Sequence, residues 1–477
     1  MEKWLYSSFS LLKQLLRVLL ALILLLAILL GTGLAQKRLS PSPHPHPSIT
    51  SADFVRRVDS SLVLHGSTFR FSGANLYWLG LMETGQGVGY PSYFEVEDAL
   101  ATAQAMGATV IRSHTLGIST GCPLCLEPGR GRFNQVAFQH ADFAIQAAEA
   151  SHLKLIIPLV DNWRYYHGGK HTFTHWLGIP NEDMFYYDPT AIADFQRYVS
   201  TLLNHVNVYT GVAYKNDPTI LAWELGNELR APLSWERTMA DYIRGIDGNH
   251  LIASGSYNWQ DRKTVFAHEL MLPSIDIYTG HYYPPSIADL QAQAILAQRA
   301  QKVFIAEEYD WNTSSGDSLN SFLSAIEQSN IAGDLYWSLF PHNDTHGYIQ
   351  QSEHFTLHYP GNTPDIQARV SMLRDHAYTI RGLAVPTEDI LDRPIITSIQ
   401  QNKIFWRGVD GAYTYTIERS RRSSEGPWTI LCDRCATDND APWTDTSQPS
   451  GQLWYRIKAS TSSGVYGPYS YIYEVST

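Results

Sequence analysis

Short apolar segments alternate with amphipathic helical patterns from about Phe54 to Leu383 of this chain. Eight strand candidates begin at Phe71, Ala108, Leu153, Thr219, Leu251, Ile275, Val303 and Gly333. The helical patterns between them cover Val96–Met106, Val136–Ala150, Ala191–Val208, Glu236–Ile246, Ile287–Ala300 and Leu319–Gln328. This alternation predicts an α/β fold, the (β/α)8 TIM barrel, in which catalytic side chains lie at the carboxyl ends of the strands.

The pattern changes near the carboxyl end of the chain, where residues 392–477 show no helical period. The alternating segments Lys403–Trp406, Tyr413–Ile417 and Trp454–Lys458 indicate strands, and turn residues separate them. This region therefore predicts a small all-β sandwich, and it resembles a fibronectin type III domain. Because it contains no catalytic pattern, we expect a spacer or docking module, and a carbohydrate-binding face is the alternative.

The amino-terminal 35 residues have the features of an export signal. Lys3, Lys13 and Arg17 precede the apolar run Val18–Leu30, and Gly33–Ala35 has the small residues of a cleavage site. Extended to Ala35, the run reaches 18 residues, the lower edge for a membrane span. A cleaved signal peptide and an uncleaved transmembrane anchor therefore both remain open. Either one places the rest of the chain outside the cytoplasm, secreted or anchored to the membrane.

These patterns divide the chain into four parts. They are a signal peptide or membrane anchor (1–35), a Pro-rich linker (36–53), a catalytic barrel (54–386) and a sandwich (392–477). The linker contains the stiff run Pro41–Pro47, which favours an extended spacer.

Charge and cysteine content narrow the possible partners. The chain has 35 Lys+Arg and 46 Asp+Glu, a net charge of −11, and its basic residues do not cluster beyond the amino terminus. We therefore expect no nucleic-acid binding, and we expect a monomer. Two CxxC pairs, Cys122/Cys125 and Cys432/Cys435, fit local disulfides, a structural zinc site or free thiols. Local disulfides are favoured because the pairs lie in different predicted domains of an exported chain.

Two strand candidates end in carboxylates. The strand that begins at Thr219 leads to Asn227 and Glu228, and the strand that begins at Val303 leads to Glu307 and Glu308. Glycoside hydrolysis needs two carboxyl groups across the scissile bond, one protonated and one ionised. Opposed barrel strands can hold such a pair at one level, so the pattern predicts a glycosidase. Salt bridges or helix caps are the structural alternative for a Glu at a strand end.

The segment Tyr214–Arg230 resembles the acid/base segment of glycoside hydrolase family 5 β-mannanases, and the likeness to plant and fungal endo-1,4-β-mannosidases covers about residues 54–385. Further matching segments follow in order: Thr109–Arg112, Leu159–Trp163, Gly168–Lys170, Trp176, Asn207–Gly211, His281–Pro284, Lys302–Asp310 and Tyr336–Trp337. The resemblance implies a retaining hydrolase that cleaves β-1,4-mannosidic bonds within mannan-type polysaccharides. It implies no metal or organic cofactor, because both catalytic groups are side chains.

The resemblance also implies roles for individual residues. Glu228 would be the general acid/base and Glu308 the nucleophile. The register Glu-Tyr-Asp selects Glu308 over Glu307, because strand side chains alternate and only one of the two is expected to face the barrel axis. The implied substrate-binding residues are Arg112, Asn162, Trp163, Asn227, His281, Tyr283 and Trp337.

Each substrate-binding role has a physical basis. Asn227 would bind the 2-hydroxyl of the sugar, where hydrogen bonds strengthen in the transition state. Arg112 and Tyr283 would orient the nucleophile and keep it ionised. His281 would hydrogen-bond near the acid/base, and Trp337 would form the floor under the sugar.

Four positions depart from the family pattern. Leu229 stands where Pro is common, Asp310 where Gly is common, Asp161 where mannanases often have Asn, and His114 where many have Trp. These departures bear on the preference for mannan more than on hydrolysis itself. The alternatives are therefore a β-1,4-glucanase or exo-β-mannosidase of the same family. From other classes, they are a catalytically silent carbohydrate-binding barrel or an adhesion protein.

Overall fold

The computed structural model describes residues 49–257, 266–351, 354–387, 390–447 and 450–476, which fall within one compact unit, Ser48–Thr477. The predicted signal peptide or anchor and most of the predicted linker lie outside the described residues. In the ranges described, no helix is long and apolar enough to cross a membrane.

Eight parallel strands close into a barrel, each hydrogen-bonded to its neighbours in chain order. They are β1 (Phe71–Asn75), β2 (Val110–Arg112), β3 (Lys154–Pro158), β4 (Ile220–Glu224), β5 (Leu251–Ala253), β6 (Ile277–Tyr282), β7 (Val303–Tyr309) and β8 (Gly333–Tyr336). Each begins within two residues of its predicted start, so the TIM-barrel prediction is confirmed. Catalytic residues of such a barrel are expected at the carboxyl ends of these strands.

Helices cover the outside of the barrel. They are α1 (Tyr93–Ala105), α2 (Gln135–Ala150), α3 (Lys170–Trp176), α4 (Pro189–Asn204), α5 (Leu233–Ile246), α6 (Ile287–Arg299), α7 (Leu319–Glu327) and α8 (Pro364–Thr379). Several begin at sequence-readable caps: Ser92 and Glu95 form a capping box for α1, and Asp188 caps α4 before Pro189. The predicted helical stretches did not include α3, whose seven residues are too few to show a period, or α8.

The amino-terminal end of the barrel is filled with apolar side chains. A three-stranded sheet (Arg56–Val58, Ser61–Leu64 and Ser67–Thr68) precedes β1. Its Leu62 packs in one buried cluster with strand residues such as Phe71 and Ile305. Apolar side chains therefore fill this end of the barrel, and the cavity described below lies at the opposite, carboxyl end.

The carboxyl-terminal region forms two antiparallel sheets, which confirms an all-β unit. Its strands are β9 (Ile395–Gln400), β10 (Lys403–Arg407), β11 (Thr414–Ser420), β12 (Trp428–Ala436), β13 (Trp443–Thr444), β14 (Gln452–Ser460), β15 (Tyr466–Tyr469) and β16 (Tyr473–Ser476). One sheet has the order β9-β10-β13, and the other β12-β11-β14-β15 with β16 also paired to β14. Ile404 and Trp406 of the first sheet pack against Tyr415 and Ile457 of the second. The fibronectin type III likeness stays a prediction.

The sandwich packs against the barrel loop that follows β8. His342 of that loop lies between Asp98 of α1, at 2.9 Å, and Asp438 of the sandwich, at 3.4 Å. Arg407 of β10 pairs with Asp344 of the same loop at 2.9 Å. The loop is therefore held from both sides by charged contacts.

Both cysteine pairs are joined as local disulfides, Cys122 with Cys125 and Cys432 with Cys435. This is the pairing that the sequence favoured over a zinc site or free thiols. The first disulfide lies in the segment between β2 and α2, and the second lies within β12.

Candidate active site

A cavity of about 520 Å3 lies at the carboxyl ends of the barrel strands. Its volume falls in the range of small-molecule sites. It is lined by Tyr77, Glu83, His114, Tyr165, Tyr166, His167, Asn227, Glu228, Tyr283, Glu308, Trp337, Gln351 and Phe355. Five of the sequence-predicted site residues belong to this lining: Asn227, Glu228, Tyr283, Glu308 and Trp337.

The other four predicted residues lie beside the cavity. Arg112 and His281 are buried behind it and contact the carboxylates described below. Asn162 and Trp163 line a neighbouring pocket, with Arg230 on its wall. Of these two, Trp163 reaches the cavity residues directly, because its indole N–H donates to Glu228.

Glu228 follows the end of β4 in an unusual backbone conformation. Its φ of 51° is in the left-handed region, which non-glycine residues seldom adopt outside turns and functional sites. The preceding residue, Asn227, donates its backbone N–H to Val160 at 2.7 Å and so ties this turn to the segment after β3. The Glu228 carboxylate accepts hydrogen bonds from Trp163 and, at 2.9 Å, from Nδ1 of His281.

Glu308 lies across the cavity from Glu228, near the end of β7. Its Oε1 accepts from Nη1 of Arg112 at 2.6 Å, and its Oε2 accepts from the Tyr283 hydroxyl at 2.9 Å. One carboxylate oxygen of Glu228 and one of Glu308 lie within 4.8 Å of each other. These contacts match the orienting roles that the resemblance implied for Arg112 and Tyr283.

The neighbouring Glu307 is fully buried and does not line the cavity. However, its carboxylate lies 3.2 Å from Nε2 of His281 and 3.5 Å from Nε of Arg112. The expectation that only one of the two glutamates reaches the barrel axis is therefore wrong. The pairing of β6 with β7 shifts between Gly280 and His281, and this irregularity places His281 within reach of both carboxylates.

The sequence reasoning missed Glu224, which holds Arg112 in place. The two side chains form a bidentate pair at 2.7 and 2.8 Å, and both are fully buried. Burial raises the pKa of Glu224 to about 8; Arg112 opposes the rise and the charge of Glu307 adds to it. A Glu inside the apolar strand Ile220–Glu224 was the signal that could have revealed it.

Aromatic residues form the floor of the cavity. The Trp337 ring stacks on Tyr77 with centroids 5.0 Å apart and lies 5.2 Å from the His114 ring. Tyr77 was also missed, although it follows β1 directly and so stands at a strand end.

His281 affects the pKa values of both Glu228 and Glu308 because its ring contacts both carboxylates. Burial disfavours the imidazolium, but Glu308 and Glu228 outweigh it and raise the pKa of His281 well above its ordinary value. Burial also opposes ionisation of Glu228, yet hydrogen bonds from His281 and Trp163 lower the pKa of that carboxyl. Burial raises the pKa of Glu308, although His281 and Arg112 oppose the rise.

These directions are the reverse of the predicted roles, in which Glu228 is protonated and Glu308 ionised. The raised pKa of His281 and the lowered pKa of Glu228 favour a proton on His281, 2.9 Å from the Glu228 carboxylate, in the free protein. Transfer of that proton from Nδ1 to Glu228 would produce the acid form that the first chemical step requires.

Among the described residues, three clusters of His and acidic side chains could in principle hold a metal ion. They are Glu228/His281/Glu308, His114/Asp161/His167 and Asp98/His342/Asp410. Their carboxylate neighbours raise the pKa values of His281 and His342 well above the ordinary value, against burial. Nε2 of His114 accepts from Arg112 at 2.8 Å, so its proton resides on the nitrogen that faces Asp161.

The fold and the site together define a class, the barrel glycoside hydrolases. Glu228 lies after the end of β4, Glu308 lies near the end of β7, and the guanidinium of Arg112 contacts Glu308. Residues 52–314, more than half of the chain, match the family model described as GH family 5 beta-mannosidase-like. The chain belongs to glycoside hydrolase family 5, which confirms the family inferred from its sequence motifs.

Known relatives agree with this assignment. Mannan endo-1,4-beta-mannosidase 1 of Arabidopsis thaliana is 33% identical over 263 residues, which cover 50% of this chain and 63% of that protein. Mannan endo-1,4-beta-mannosidase 1 of Solanum lycopersicum is 26% identical over 385 residues, 70% of this chain and 93% of that protein. The hyperthermostable endo-1,4-beta-D-mannanase from Thermotoga petrophila RKU-1 has a similar structure, with a TM-score of 0.55 and 25% identity. The matched region covers 65% of this chain and 99% of the Thermotoga chain.

Proposed function

We propose that this protein is a retaining endo-β-1,4-mannanase that cleaves mannan-type polysaccharides by double displacement. The observation that carries the proposal is the distance of less than 4.8 Å between the nearest oxygens of Glu228 and Glu308. Retaining glycosidases hold their carboxyl groups about 5–5.5 Å apart, whereas inverting enzymes leave about 6.5–9.5 Å for a water molecule. The names of the plant relatives, which are mannan endo-1,4-beta-mannosidases, support the substrate class.

In the first step, Glu308 attacks the anomeric carbon while Glu228 gives a proton to the departing glycosidic oxygen. Arg112 and Tyr283 aim the nucleophile through the hydrogen bonds at 2.6 and 2.9 Å. His281 first gives its Nδ1 proton to Glu228, and Glu228 then passes this proton to the glycosidic oxygen. A covalent glycosyl-enzyme and a shortened polysaccharide result.

In the second step, Glu228 removes a proton from water, and the resulting hydroxide displaces Glu308 from the anomeric carbon. The sugar leaves with its original anomeric configuration and Glu308 returns as the free carboxylate. Glu228 passes the proton taken from water to His281, which restores the starting state of the site. Asn227 lines the cavity beside Glu228, where its amide can bind the 2-hydroxyl of the sugar as the oxocarbenium-like charge develops.

One observation favours an exo-acting β-mannosidase as a second candidate. Nε2 of Gln351 donates to the backbone oxygen of Glu83 at 2.7 Å, which joins two loops at the cavity wall. A wall closed at this point would limit the number of sugars that fit on one side of the scissile bond, and an enzyme of that kind removes single units from chain ends.

The products of digestion distinguish these functions. Galactomannan, glucomannan and carboxymethylcellulose should be digested and analysed by thin-layer chromatography. An endo-mannanase yields a ladder of manno-oligosaccharides from the first two polymers, whereas mannose alone would indicate the exo enzyme. Proton NMR during hydrolysis of mannopentaose should first show the β-anomer; initial α-anomer would contradict the retaining mechanism. Glu97→Gln, on the exposed face of α1, is the matched control for Glu228→Gln and Glu308→Gln.

We also propose that the protein is exported, either secreted or held at the membrane by its first 35 residues. The charged and apolar pattern of that segment and the two disulfides support this location. Amino-terminal sequencing of the mature protein from the extracellular and membrane fractions would test it. A mature chain that begins near Gln36 indicates cleavage, and an intact chain in the cytosolic fraction would refute export.

A further inference from the structure

Asp161, one of the departures from the family pattern, is a fully buried carboxylate at the centre of a hydrogen-bond network beside the cavity. Its Oδ1 accepts the backbone N–H of Trp163 at 2.8 Å. Nδ2 of Asn227 lies 3.3 Å from each of its oxygens, and Nε2 of His167 lies 3.4 Å from Oδ2. Nδ1 of His114 faces the same Oδ2 at 3.9 Å. The three side chains facing this carboxylate all line the cavity.

The amide of Asn227 is held in one orientation by opposite charges. Its Oδ1 accepts from Nη2 of Arg112 at 3.0 Å, and its Nδ2 donates to Asp161 on the other side. A turned amide would place its N–H groups against the guanidinium and its oxygen against the carboxylate. Because an amide has two N–H groups and one is directed at Asp161, the second is left for a ligand in the cavity.

The two histidines take opposite tautomers in this network. His114 accepts from Nη1 of Arg112 at its Nε2, so it carries its proton on Nδ1, towards Asp161. Burial and the adjacent Arg112 lower the pKa of His114 well below its ordinary value, which keeps the ring neutral. His167 donates from Nε2, which leaves Nδ1 as an acceptor. That atom is buried and has no hydrogen-bond partner among the described residues.

We propose that Asp161 is a positioning residue that fixes the hydrogen-bond directions of Asn227, His114 and His167, and thereby sets the selectivity of the site for the sugar 2-hydroxyl. This selectivity rests on the proposed glycosidase function, whereas the hydrogen-bond directions do not. The ligand class is a polyhydroxylated sugar, whose 2-hydroxyl accepts from Asn227.

The substitution Asp161→Asn shows why a carboxylate is needed in this chain. The backbone N–H of Trp163 would keep the amide oxygen of the new side chain as its acceptor. The amide nitrogen would then stand in place of Oδ2, so Nδ2 of Asn227 would keep one of its two acceptors while Nε2 of His167 would face a donor. Asn227 would be held by a neutral oxygen in place of a carboxylate, so its amide would be fixed less firmly opposite Arg112.

The kinetic test uses dinitrophenyl β-mannobioside and its analogue without the 2-hydroxyl on the sugar next to the aryl group. For Asp161→Asn we expect the wild-type preference for the 2-hydroxyl substrate to fall about tenfold, through kcat rather than KM. The reason is that this hydrogen bond strengthens in the transition state. The matched control is Asp142→Asn, a buried carboxylate of α2 that binds His205 and Tyr214 away from the cavity. It should lower thermal stability and leave the preference unchanged.

A second measurement does not depend on hydrolysis. Long-range proton–nitrogen NMR of the ring-labelled wild-type protein, with His114→Gln and His167→Gln used for assignment, reports the tautomers directly. We expect the proton of His114 on Nδ1 and that of His167 on Nε2. The opposite tautomers would overturn the proposal, as would an unchanged preference in a folded Asp161→Asn variant. If the wild type hydrolyses neither substrate while the tautomers are as expected, the proposed function fails and the role of Asp161 in fixing these directions remains.

Discussion

Replacing His342 tests whether the sandwich holds the barrel loop after β8. Its imidazole and its backbone N–H both bind Asp98, at 2.9 and 2.8 Å, and its Nε2 lies 3.4 Å from Asp438. Removing one partner of a buried ion pair costs about 3–5 kcal/mol, because the remaining charge is left buried without compensation. For His342→Gln, which keeps one donor, we expect a loss near the lower end, about 3 kcal/mol in the free energy of unfolding.

This loss should depend on pH in a defined direction. Burial disfavours the imidazolium, but Asp98 and Asp438 raise the pKa of His342 well above its ordinary value. A raised pKa in the folded state means that the stabilisation is complete below about pH 6.5, the unfolded value, and declines as the pH rises through the folded value. Asp410 and Tyr348 also face the ring, and their pKa values are raised, mainly by burial. The difference between wild type and variant should therefore be largest in mildly acid solution.

Urea unfolding followed by tryptophan fluorescence, at several pH values from 5 to 10, measures this difference. The matched control is His376→Gln, because Asp334 and Glu327 outweigh burial there and raise the pKa of His376 to about 9. Both variants should lose stability with the same sign of pH dependence. Only His342→Gln should also raise KM, because its loop lies between Trp337 and Gln351 of the cavity lining. Equal losses at all pH values, or an unchanged KM, would refute the reasoning.

The remaining predictions concern the chemistry. Glu228→Gln and Glu308→Gln should each lower kcat by several orders of magnitude while the protein stays folded, and activity near wild type in either would remove that residue from the mechanism. With Glu308→Ala, azide should restore turnover and give the inverted glycosyl azide, whereas with Glu228→Ala the azide product should be the retained one; chiral analysis of the products decides. Glu307→Gln should lower kcat less than Glu308→Gln but more than Glu97→Gln, because it removes a charge that holds His281 and Arg112. The ratio of kcat/KM on manno- to cello-oligosaccharides should be about tenfold or more, at least about 1.4 kcal/mol, and comparable rates on both series would contradict the mannanase assignment.

Local pattern alone was enough to locate the barrel strands and the carboxylates at two strand ends, and the family resemblance then selected Glu308 over Glu307. A strand of the barrel is a short run of buried residues, most of them apolar. A segment such as Ile220–Glu224 can therefore be recognised from neighbouring residues alone. Glu228 and Glu308 could be identified because each follows or ends such a run, and the barrel topology brings all those ends to one face.

The partners of those residues could not be found in this way. Arg112 and Glu308 are 196 positions apart, and Asp98 and His342 are 244 positions apart, yet each pair is in direct contact. The irregular pairing at His281 makes Glu307 the extra residue of β7, and it could not be found from local pattern because it is defined only by how β7 pairs with β6.

The sequence by itself therefore determined the barrel, the all-β carboxyl-terminal unit and the carboxylates at the strand ends, because hydrophobic periodicity is a local property. Only the tertiary structure decided the raised pKa of His281, the orientation of Asn227 by Asp161 and the attachment of the sandwich to the loop of His342. Each of these depends on charges and hydrogen-bond partners that burial brings together from distant parts of the chain. In a buried site, the energy of a charged or polar side chain is set by those neighbours rather than by its own residue type.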